Sequence, residues 1–358
     1  MMSDSPIFLE SGSSGAPKPG QRSVSVPQGT TVVVQAPGGT WRIWAIRLLL
    51  VALGLSVLFN LGLFAAFAEY LGTGEGPQEK FLSGEMSATS KIAVIELSGV
   101  IMPPYTERWL KQIEKAQADN NVKGVLLVID SPGGAVADSH QIYHQLKKLS
   151  GEKQKPIFIQ MKRLAASGGY YVAMGGGPQA RIFAEQTTWT GSIGVILPHY
   201  DVSELATKMG VKSESLTTGE FKDSLSPFKP LSENDRALWK DIIDQSYEQF
   251  LAIIDENRDT LNADQVKALA TGRIFTARDA LANGMIDQIG YEEDSLEALK
   301  KQLGLSSVRV VKYHHPTGLA EILTGNSQAR AFSNSWQSWL EASVPRAYYL
   351  ASWLPPLP

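Results

Sequence analysis

The sequence predicts an α/β fold with a largely parallel sheet, preceded by one membrane-spanning helix. From Lys91 onward, short apolar runs alternate with stretches of helical periodicity. The first two runs, IAVIEL at 92–97 and GVLLVID at 124–130, are typical of buried strands. Strands that alternate with helices form βαβ units, which build a parallel sheet covered by helices. Ahead of this region, 21 consecutive residues at 48–68 carry no charge.

The same periodicity predicts each further element in chain order. These elements are helices over 107–118 and 135–149, strands at 157–161 and near 181–184, a short helix from Ser167, and a long amphipathic helix over about 232–258. Because the segments follow one another without a break, residues 91–313 are predicted to form a single α/β domain.

The uncharged run predicts a membrane anchor over 41–71. At 1.5 Å per residue it is about 32 Å long, enough to cross a bilayer. Arg42 and Arg47 precede it and Glu69 follows it. Basic residues stay on the cytoplasmic side, so the domain is expected outside the cytoplasm, which is the periplasm if the envelope is of the Gram-negative type. A cleaved signal peptide ending at 66–68 is the alternative, and the length of the apolar run argues against it.

The segments that flank the anchor and the domain have distinct compositions. Residues 1–40 are rich in Ser, Gly, Pro and Gln, which predicts a disordered cytoplasmic tail, and 72–90 repeat this composition as a flexible stalk. Residues 314–358 form an aromatic-rich tail that includes Phe332, Trp336, Trp339, Tyr348, Tyr349 and Trp353. This tail is expected to dock against a neighbouring protomer, and a helix lying on the membrane is the alternative.

Charge and cysteine content exclude several classes of function. The chain has 33 Lys and Arg against 36 Asp and Glu, a net charge of −3, so no electrostatic basis exists for binding nucleic acid. The absence of cysteine excludes a disulfide framework, a thiolate zinc site and a cysteine nucleophile. A nucleophile must therefore be Ser, Thr, Lys or a carboxylate.

Three turns follow predicted strands, where ligands gather in α/β folds. The first, D-S-P-G-G at 130–134, precedes a helix and could direct backbone N–H groups at an oxyanion. The second, A-A-S-G-G at 165–169, could present the hydroxyl of Ser167 beside the N–H of Gly168. The third, T-G-S-I-G-V at 190–195, offers another hydroxyl. A plain turn and a helix N-cap are the alternatives for the first two.

A serine nucleophile needs a general base. His140 and His144 have the i, i+4 spacing of a zinc-binding helix, but Gln141 stands where that motif needs a glutamate. His199 leaves a Ser/His/Asp triad open. A lysine base must be held neutral by burial, because its reference pKa is about 10.4. The residues alone do not select the lysine, although G-E-F-K-D at 219–223 precedes a loop that could hold one in a cleft.

Five motifs in order resemble the signal peptide peptidase A family of membrane-anchored Ser/Lys peptidases. They are D-S-P-G-G, A-A-S-G-G-Y-Y, T-G-S-I-G-V, G-E-F-K-D and G-R-I-F-T-A-R-D-A-L-A-N-G-M-I-D-Q-I-G. The resemblance covers about 91–290 and implies the fold shared by Clp protease and the crotonases, built from repeated ββα units. With one copy of the domain, the chain looks like the short form of the family.

The resemblance also implies roles for individual residues. Ser167 matches the nucleophile, Lys222 the general base, and Ser192 the serine whose hydroxyl contacts the lysine amine. The N–H groups of Gly134 and Gly168 match the oxyanion hole. The implied enzyme needs no metal or cofactor.

The family further implies partners for this chain. They are the lipid bilayer, signal peptides and other unfolded polypeptides as substrates, and further copies of the chain in a homo-oligomeric ring. Two other classes stay open. A crotonase-like acyl-CoA enzyme would need an acidic catalytic residue and a nucleotide site, and a catalytically silent membrane scaffold would need neither.

Overall fold

The computed structural model describes residues 21–25, 31–35, 40–72, 76–314 and 348–350. They fall into two units, divided after Gly74. The first unit contains β1 (Gln21–Ser25), β2 (Thr31–Gln35) and α1 (Thr40–Gly72). Strands β1 and β2 pair antiparallel, so the expectation of disorder over 1–40 is wrong for these ten residues. Val and Thr dominate β2, and β-branched residues favour extended backbone.

Helix α1 is apolar on all sides. Its segment Ile43–Ala65 has a mean hydropathy of 2.4, and none of its most apolar stretch is buried in the described structure. A helix of 23 residues with such a surface is long enough to cross the apolar part of a bilayer. The helix therefore fits a single-pass membrane anchor.

The second unit contains the remaining elements. Its strands are β3 (Gln78–Gly84), β4 (Lys91–Ser98), β5 (Val122–Ser131), β6 (Gly133–Ala135), β7 (Ile157–Ala166), β8 (Ile182–Ala184), β9 (Trp189–Gly191), β10 (Ile274–Thr276), β11 (Gln288–Ile289), β12 (Arg309–His314) and β13 (Tyr348–Leu350). Its helices are α2 (Tyr105–Ala118), α3 (Val136–Gly151), α4 (Gly168–Ala173), α5 (Ser203–Lys208), α6 (Glu233–Asn257), α7 (Ala263–Leu269), α8 (Ala277–Ala282) and α9 (Glu292–Leu303). The predicted α/β class, with its strands and helices in the predicted order, is confirmed.

Nine strands form one mostly parallel sheet in the order β10-β9-β7-β5-β4-β12-β3, with β8 and β11 branching from β7. Alternate residues of its central strands face opposite sides. Ile95 and Leu127 belong to one apolar core, which packs under α2, α3 and α6, while Val94 and Val128 belong to the other, under α9. A sheet covered on both faces needs continuous apolar strands, which explains the runs seen in the sequence.

Strand β3 corrects the expected stalk over 72–90. Residues 78–84 pair antiparallel with β12 at the edge of the sheet. Glu79 in this strand also binds Lys91 Nζ, which in turn binds Asp119 at 2.8 Å. Edge strands are commonly polar, so composition does not distinguish them from a linker. Residues 78–84 form a strand because their backbone pairs with β12, which lies more than 200 positions later in the chain.

Strand β13 lies within the predicted aromatic tail 314–358. It pairs antiparallel with β6 and forms a separate two-stranded sheet. Phe332, Trp336, Trp339 and Trp353 lie outside the described residues. The tail is thus described only at Tyr348–Leu350, where it pairs with β6 of the second unit.

Candidate active site

The three predicted turns meet at one edge of the sheet. Strands β5, β7 and β9 are adjacent and parallel, with Ser131 opposite Ala165 and Ala166 opposite Gly191. Because the carboxyl ends of parallel strands lie on the same side, the turns that follow them are brought together. Residues far apart in sequence therefore share one cleft edge.

Ser167 occupies a strained position at the end of β7. Its φ of 54° lies in the left-handed region that a residue with a side chain rarely adopts. The residue is fully buried, and among the described residues its Oγ has no hydrogen-bond partner. Its backbone N–H donates to the Gly191 carbonyl at 2.7 Å, which locks the turn. Such strain and an unused buried hydroxyl are typical of a functional group.

The N-cap alternative for Ser167 does not describe its side chain. The residue does stand at the N-cap position of α4, and its carbonyl accepts from Tyr171 N at 2.9 Å. Its hydroxyl, however, caps no N–H of that helix. The hydroxyl is therefore available for another partner.

The predicted oxyanion donors lie beside each other. A Cβ placed on Gly168 would lie 3.1 Å from Gly134 N, and one placed on Gly133 would lie 2.7 Å from Gly168 N. Only glycine permits this approach of two backbones. On one side of β6, Ile101 N donates to the Gly133 carbonyl and Ala135 N donates to the Ile101 carbonyl, both at 2.8 Å. The strand alternation leaves the N–H of Gly134 on the opposite side.

Ser192 lies on the turn next to Ser167. It follows Gly191, whose carbonyl accepts the N–H of Ser167. Ser192 is 7% exposed, has a φ of 50°, and its own N–H donates to the Arg273 carbonyl at 2.7 Å. Two strained serines therefore lie on neighbouring turns.

Lys222 is not brought into contact with these groups. It lies in an exposed turn, where its backbone N–H donates to the Gly219 carbonyl at 3.2 Å. Since Ser167 Oγ has no partner among the described residues, Lys222 Nζ is not within hydrogen-bond distance of it. The neighbouring Asp223 pairs with Lys229 at 2.7 Å. The structure thus gathers Ser167, Ser192 and the two glycine amides, and leaves the lysine outside.

The histidines have other partners. His140 Nδ1 lies 2.8 Å from the Tyr171 hydroxyl, and burial, with a smaller effect of His144, lowers the pKa of His140. His199 Nε2 lies 3.3 Å from the Ser226 carbonyl. Neither ring is a hydrogen-bond partner of Ser167 Oγ.

An aromatic cluster beside the cleft was missed by sequence reasoning. The ring of Tyr349 stacks on Tyr171, with centroids 4.9 Å apart, and packs against Phe250 at 4.7 Å. The paired tyrosines at 170–171 and 348–349 are visible in the sequence. No spacing rule connects them, because β13 reaches β6 only through the tertiary fold.

Comparisons with known proteins agree with this geometry. The family model for peptidase family S49 matches residues 150–306, and the Clp protease model matches residues 78–193. A putative signal peptide peptidase SppA of Enterococcus faecium is 35% identical over 272 residues, covering 73% of this chain and 77% of that protein. A putative protease of Synechocystis sp. is 36% identical over 252 residues, covering 70% and 88%.

A more distant relative is the chloroplastic serine protease SPPA of Arabidopsis thaliana, which is 28% identical over 69% of this chain and 38% of its own length. Ser167 lies within both family matches, at the strained turn where β7 meets α4. A Clp protease-like α/β unit with this buried serine, together with relatives that are 35% and 36% identical over more than two thirds of the chain, shows that the chain is a serine peptidase belonging to peptidase family S49.

Proposed function

We propose that this chain is a membrane-anchored endopeptidase that cleaves peptide bonds through an acyl-enzyme on Ser167. The observation that carries the proposal is the buried, unpartnered Oγ of Ser167 on a strained turn beside two glycine amides. Oγ attacks the carbonyl carbon of the substrate and gives its proton to a base. The N–H groups of Gly134 and Gly168 stabilise the resulting oxyanion, each by about 3–4 kcal/mol.

Collapse of this intermediate completes the first half of the reaction. The carbon–nitrogen bond breaks, the base returns its proton to the leaving amine, and the acyl group stays on Ser167 as an ester. Water, deprotonated by the same base, then hydrolyses the ester and restores the serine. Apart from the substrate, every group that takes part in this reaction belongs to the chain or to water.

Lys222 is the proposed base, with the Ser192 hydroxyl orienting its amine. A lysine accepts a proton only when neutral, and burial is what favours its neutral form. Lys222 is exposed in the single chain, so the active state needs a second surface that covers it. We propose that another copy of the chain in a homo-oligomeric ring supplies this surface, and that Lys222 of one copy serves Ser167 of the next.

The proposed substrates are signal peptides and other unfolded polypeptides. Peptide cleavage at a sheet edge requires an extended backbone, which a folded protein does not present. The anchor holds the catalytic unit next to the membrane, where signal peptides remain after their release. A relative named as a signal peptide peptidase supports this substrate class.

The proposed topology places the N-terminus in the cytoplasm and residues 76–314 outside it. The chain has no cysteine, so single introduced cysteines report location without background. In intact cells, a membrane-impermeant maleimide should label Ser150→Cys and leave Ser13→Cys unlabelled until the cells are lysed. The reverse labelling pattern would overturn the topology.

Active-site labelling tests the nucleophile. The full chain in detergent should react with a fluorophosphonate and cleave an unfolded protein, and Ser167→Ala should do neither. Ser295→Ala is the matched control, because Ser295 is equally buried but lies in α9 on the other face of the sheet. Labelling of Ser167→Ala at the wild-type level would reject Ser167 as the nucleophile.

A second pair of variants tests the base. Lys222→Ala should lose peptide cleavage, while Lys212→Ala, another exposed lysine of the same irregular region, should keep it. Circular dichroism of both proteins controls for folding. Full cleavage by Lys222→Ala would exclude this lysine from the mechanism.

A further inference from the structure

Asn60 is a polar residue inside the apolar helix α1. It lies eight residues from the nearer end of the uncharged run 48–68, which is about 12 Å along the helix axis. The side chains beside it, Leu58, Phe59 and Leu61, are large, apolar and exposed. With α1 across the bilayer, as proposed above, the side-chain amide of Asn60 lies in hydrocarbon, out of reach of water.

The helix itself satisfies only part of this amide. Asn60 Nδ2 donates to the Ser56 carbonyl at 2.7 Å and lies 3.5 Å from Ser56 Oγ. An asparagine side chain has two N–H donors and a carbonyl oxygen that accepts. Within the described part of the chain, no group donates to Asn60 Oδ1. Because hydrocarbon offers no water, an unpaired carbonyl there is costly, and Asn60 Oδ1 needs a donor from another helix.

A second copy of α1 offers the donor that Asn60 needs. Among the described residues, α1 is the one helix long and apolar enough to cross a membrane, so the described chain has no other membrane helix to supply it. A side-chain amide both donates and accepts, so the same residue on two helices related by a two-fold axis can satisfy itself. The apolar core of a signal peptide, in contrast, carries no such amide.

We propose that Asn60 joins the membrane helices of neighbouring copies, its amide donating to and accepting from the amide of Asn60 in the second copy. Hydrogen bonds between side-chain amides are a known source of helix association in membranes. The inference rests on the proposed membrane anchoring and assembly of copies. It adds to them the residue through which the anchors pair.

The helical period defines the face on which the anchors meet. With about 3.6 residues per turn, Leu53 and Ser56 lie within about 40° of Asn60 around the helix, whereas Val51 and Leu58 lie on the opposite side. The small side chain of Ser56 lets a second helix approach the Asn60 amide closely. We call the side with Leu53, Ser56 and Asn60 the asparagine face.

Cysteine cross-linking tests which face pairs. The chain has no cysteine, so one introduced cysteine reports contact without background. Full-length Leu53→Cys and its matched control Leu58→Cys, each in cell membranes, are oxidised with copper phenanthroline. Leu53→Cys, on the asparagine face, should form about fivefold more disulfide-linked dimer than Leu58→Cys. Equal dimer yields at the two positions would overturn the proposal.

Moving the amide tests whether it directs the contact. Asn60→Leu removes the amide, and Leu58→Asn places one on the opposite side of the helix. In the chain with both changes, the cysteine that cross-links best should change from Leu53→Cys to Val51→Cys, since each precedes the respective asparagine by seven residues. A preference that stays at Leu53→Cys would show that the amide does not direct pairing.

The strength of association gives a second readout. Asn60→Leu should raise the apparent Kd of the full chain in lipid vesicles by roughly three- to twentyfold, the range for one hydrogen bond between membrane helices. Energy transfer between chains labelled at Ser150→Cys measures it. Asn60→Gln keeps an amide and should stay within about twofold of wild type. Resistance to alkaline extraction confirms that both variants are inserted. An unchanged Kd in Asn60→Leu would contradict the proposal.

The cross-linking is carried out in chains that also carry Ser167→Ala, so its outcome does not depend on catalysis. If Ser167 is not the nucleophile, the cross-linking pattern still decides whether the asparagine faces pair. A co-expressed signal peptide with one cysteine tests the other occupant of this face. Cross-linking of Leu53→Cys to that peptide in place of a second copy would overturn the proposal and leave the peptidase function intact.

Discussion

At the scale of single residues, the site depends on positions where backbone geometry is unusual. Ser167 and Ser192 both have positive φ values, and Gly133 and Gly168 allow backbones to approach more closely than any Cβ would permit. Strain of this kind costs about 1–3 kcal/mol per residue and persists only when surrounding contacts enforce it. Here the hydrogen bond from Ser167 N to the Gly191 carbonyl enforces it.

Gly168→Ala tests this close approach. The new Cβ would lie 2.6 Å from Ser139 Oγ and 3.1 Å from Gly134 N, so the two amide donors must separate. We expect kcat to fall by about 10²–10³-fold, the effect of losing an oxyanion donor. Gly151→Ala, where no atom lies within 4 Å of the new Cβ, is the control and should retain activity. Wild-type kcat for a folded Gly168→Ala protein would contradict the proposed oxyanion hole.

At the scale of elements, parallel pairing of β5, β7 and β9 collects the turns, and α6 supplies Phe250 to the aromatic cluster beside the cleft. Helix α6 begins at a capping box in which Ser232 Oγ accepts from Asp235 N at 3.1 Å and the Asp235 carboxylate accepts from Ser232 N at 3.1 Å. Reciprocal capping satisfies two N–H groups that the helix itself cannot pair. The start of this long helix is therefore set by local chemistry.

Ser232→Ala removes the cap. The free energy of unfolding of the catalytic unit should fall by about 0.5–2 kcal/mol at neutral pH. Urea unfolding of the full chain in detergent, followed by tryptophan fluorescence, measures the change. Ser150→Ala, at the exposed end of α3, is the control and should unfold like the wild type.

The capping box also predicts a pH dependence. Hydrogen bonds from the Ser232 side chain and backbone lower the pKa of the Asp235 carboxyl. Because the folded pKa lies below the unfolded value of about 3.9, the stabilisation is complete above that value and is lost as the pH falls through the folded pKa. The difference between wild type and Ser232→Ala should therefore shrink in acid. A difference that grows between pH 5 and pH 2 would contradict this role.

At the scale of the whole molecule, the described chain holds the proposed nucleophile, Ser167, apart from the proposed base, Lys222. Ser167 is fully buried, whereas Lys222 is exposed on an irregular segment. Assembly of several copies would cover the lysine with a second protein surface. A membrane anchor would favour such assembly, because it would confine all copies to one plane.

Mixed assemblies test whether the pair forms between copies. Ser167→Ala and Lys222→Ala are each expected to be inactive, but their co-expression should restore about a quarter of wild-type activity if each site draws its two residues from different, randomly arranged subunits. Two differently tagged Ser167→Ala chains, co-expressed in the same way, are the negative control. A mixture that stays as inactive as either variant alone would show that the pair forms within one chain.

The sequence by itself determined the order of the elements, the apolar helix that fits a membrane anchor, and the five motifs that resemble the family. These features are local: apolar periodicity, an uncharged run and short turn motifs each reside in neighbouring residues. The family match and the buried Ser167 agree with that assignment. The roles proposed for Lys222, Ser192 and the glycine amides stay predictions for the experiments above.

Only the tertiary structure decided the edge strand β3, the close approach of Gly134 to Gly168, and the packing of Tyr349 against Tyr171. Each of these joins segments far apart in the chain. Strand pairing and side-chain burial depend on which backbones meet in space, and a polar edge strand or a tail rich in tyrosine carries no local sign of its partner.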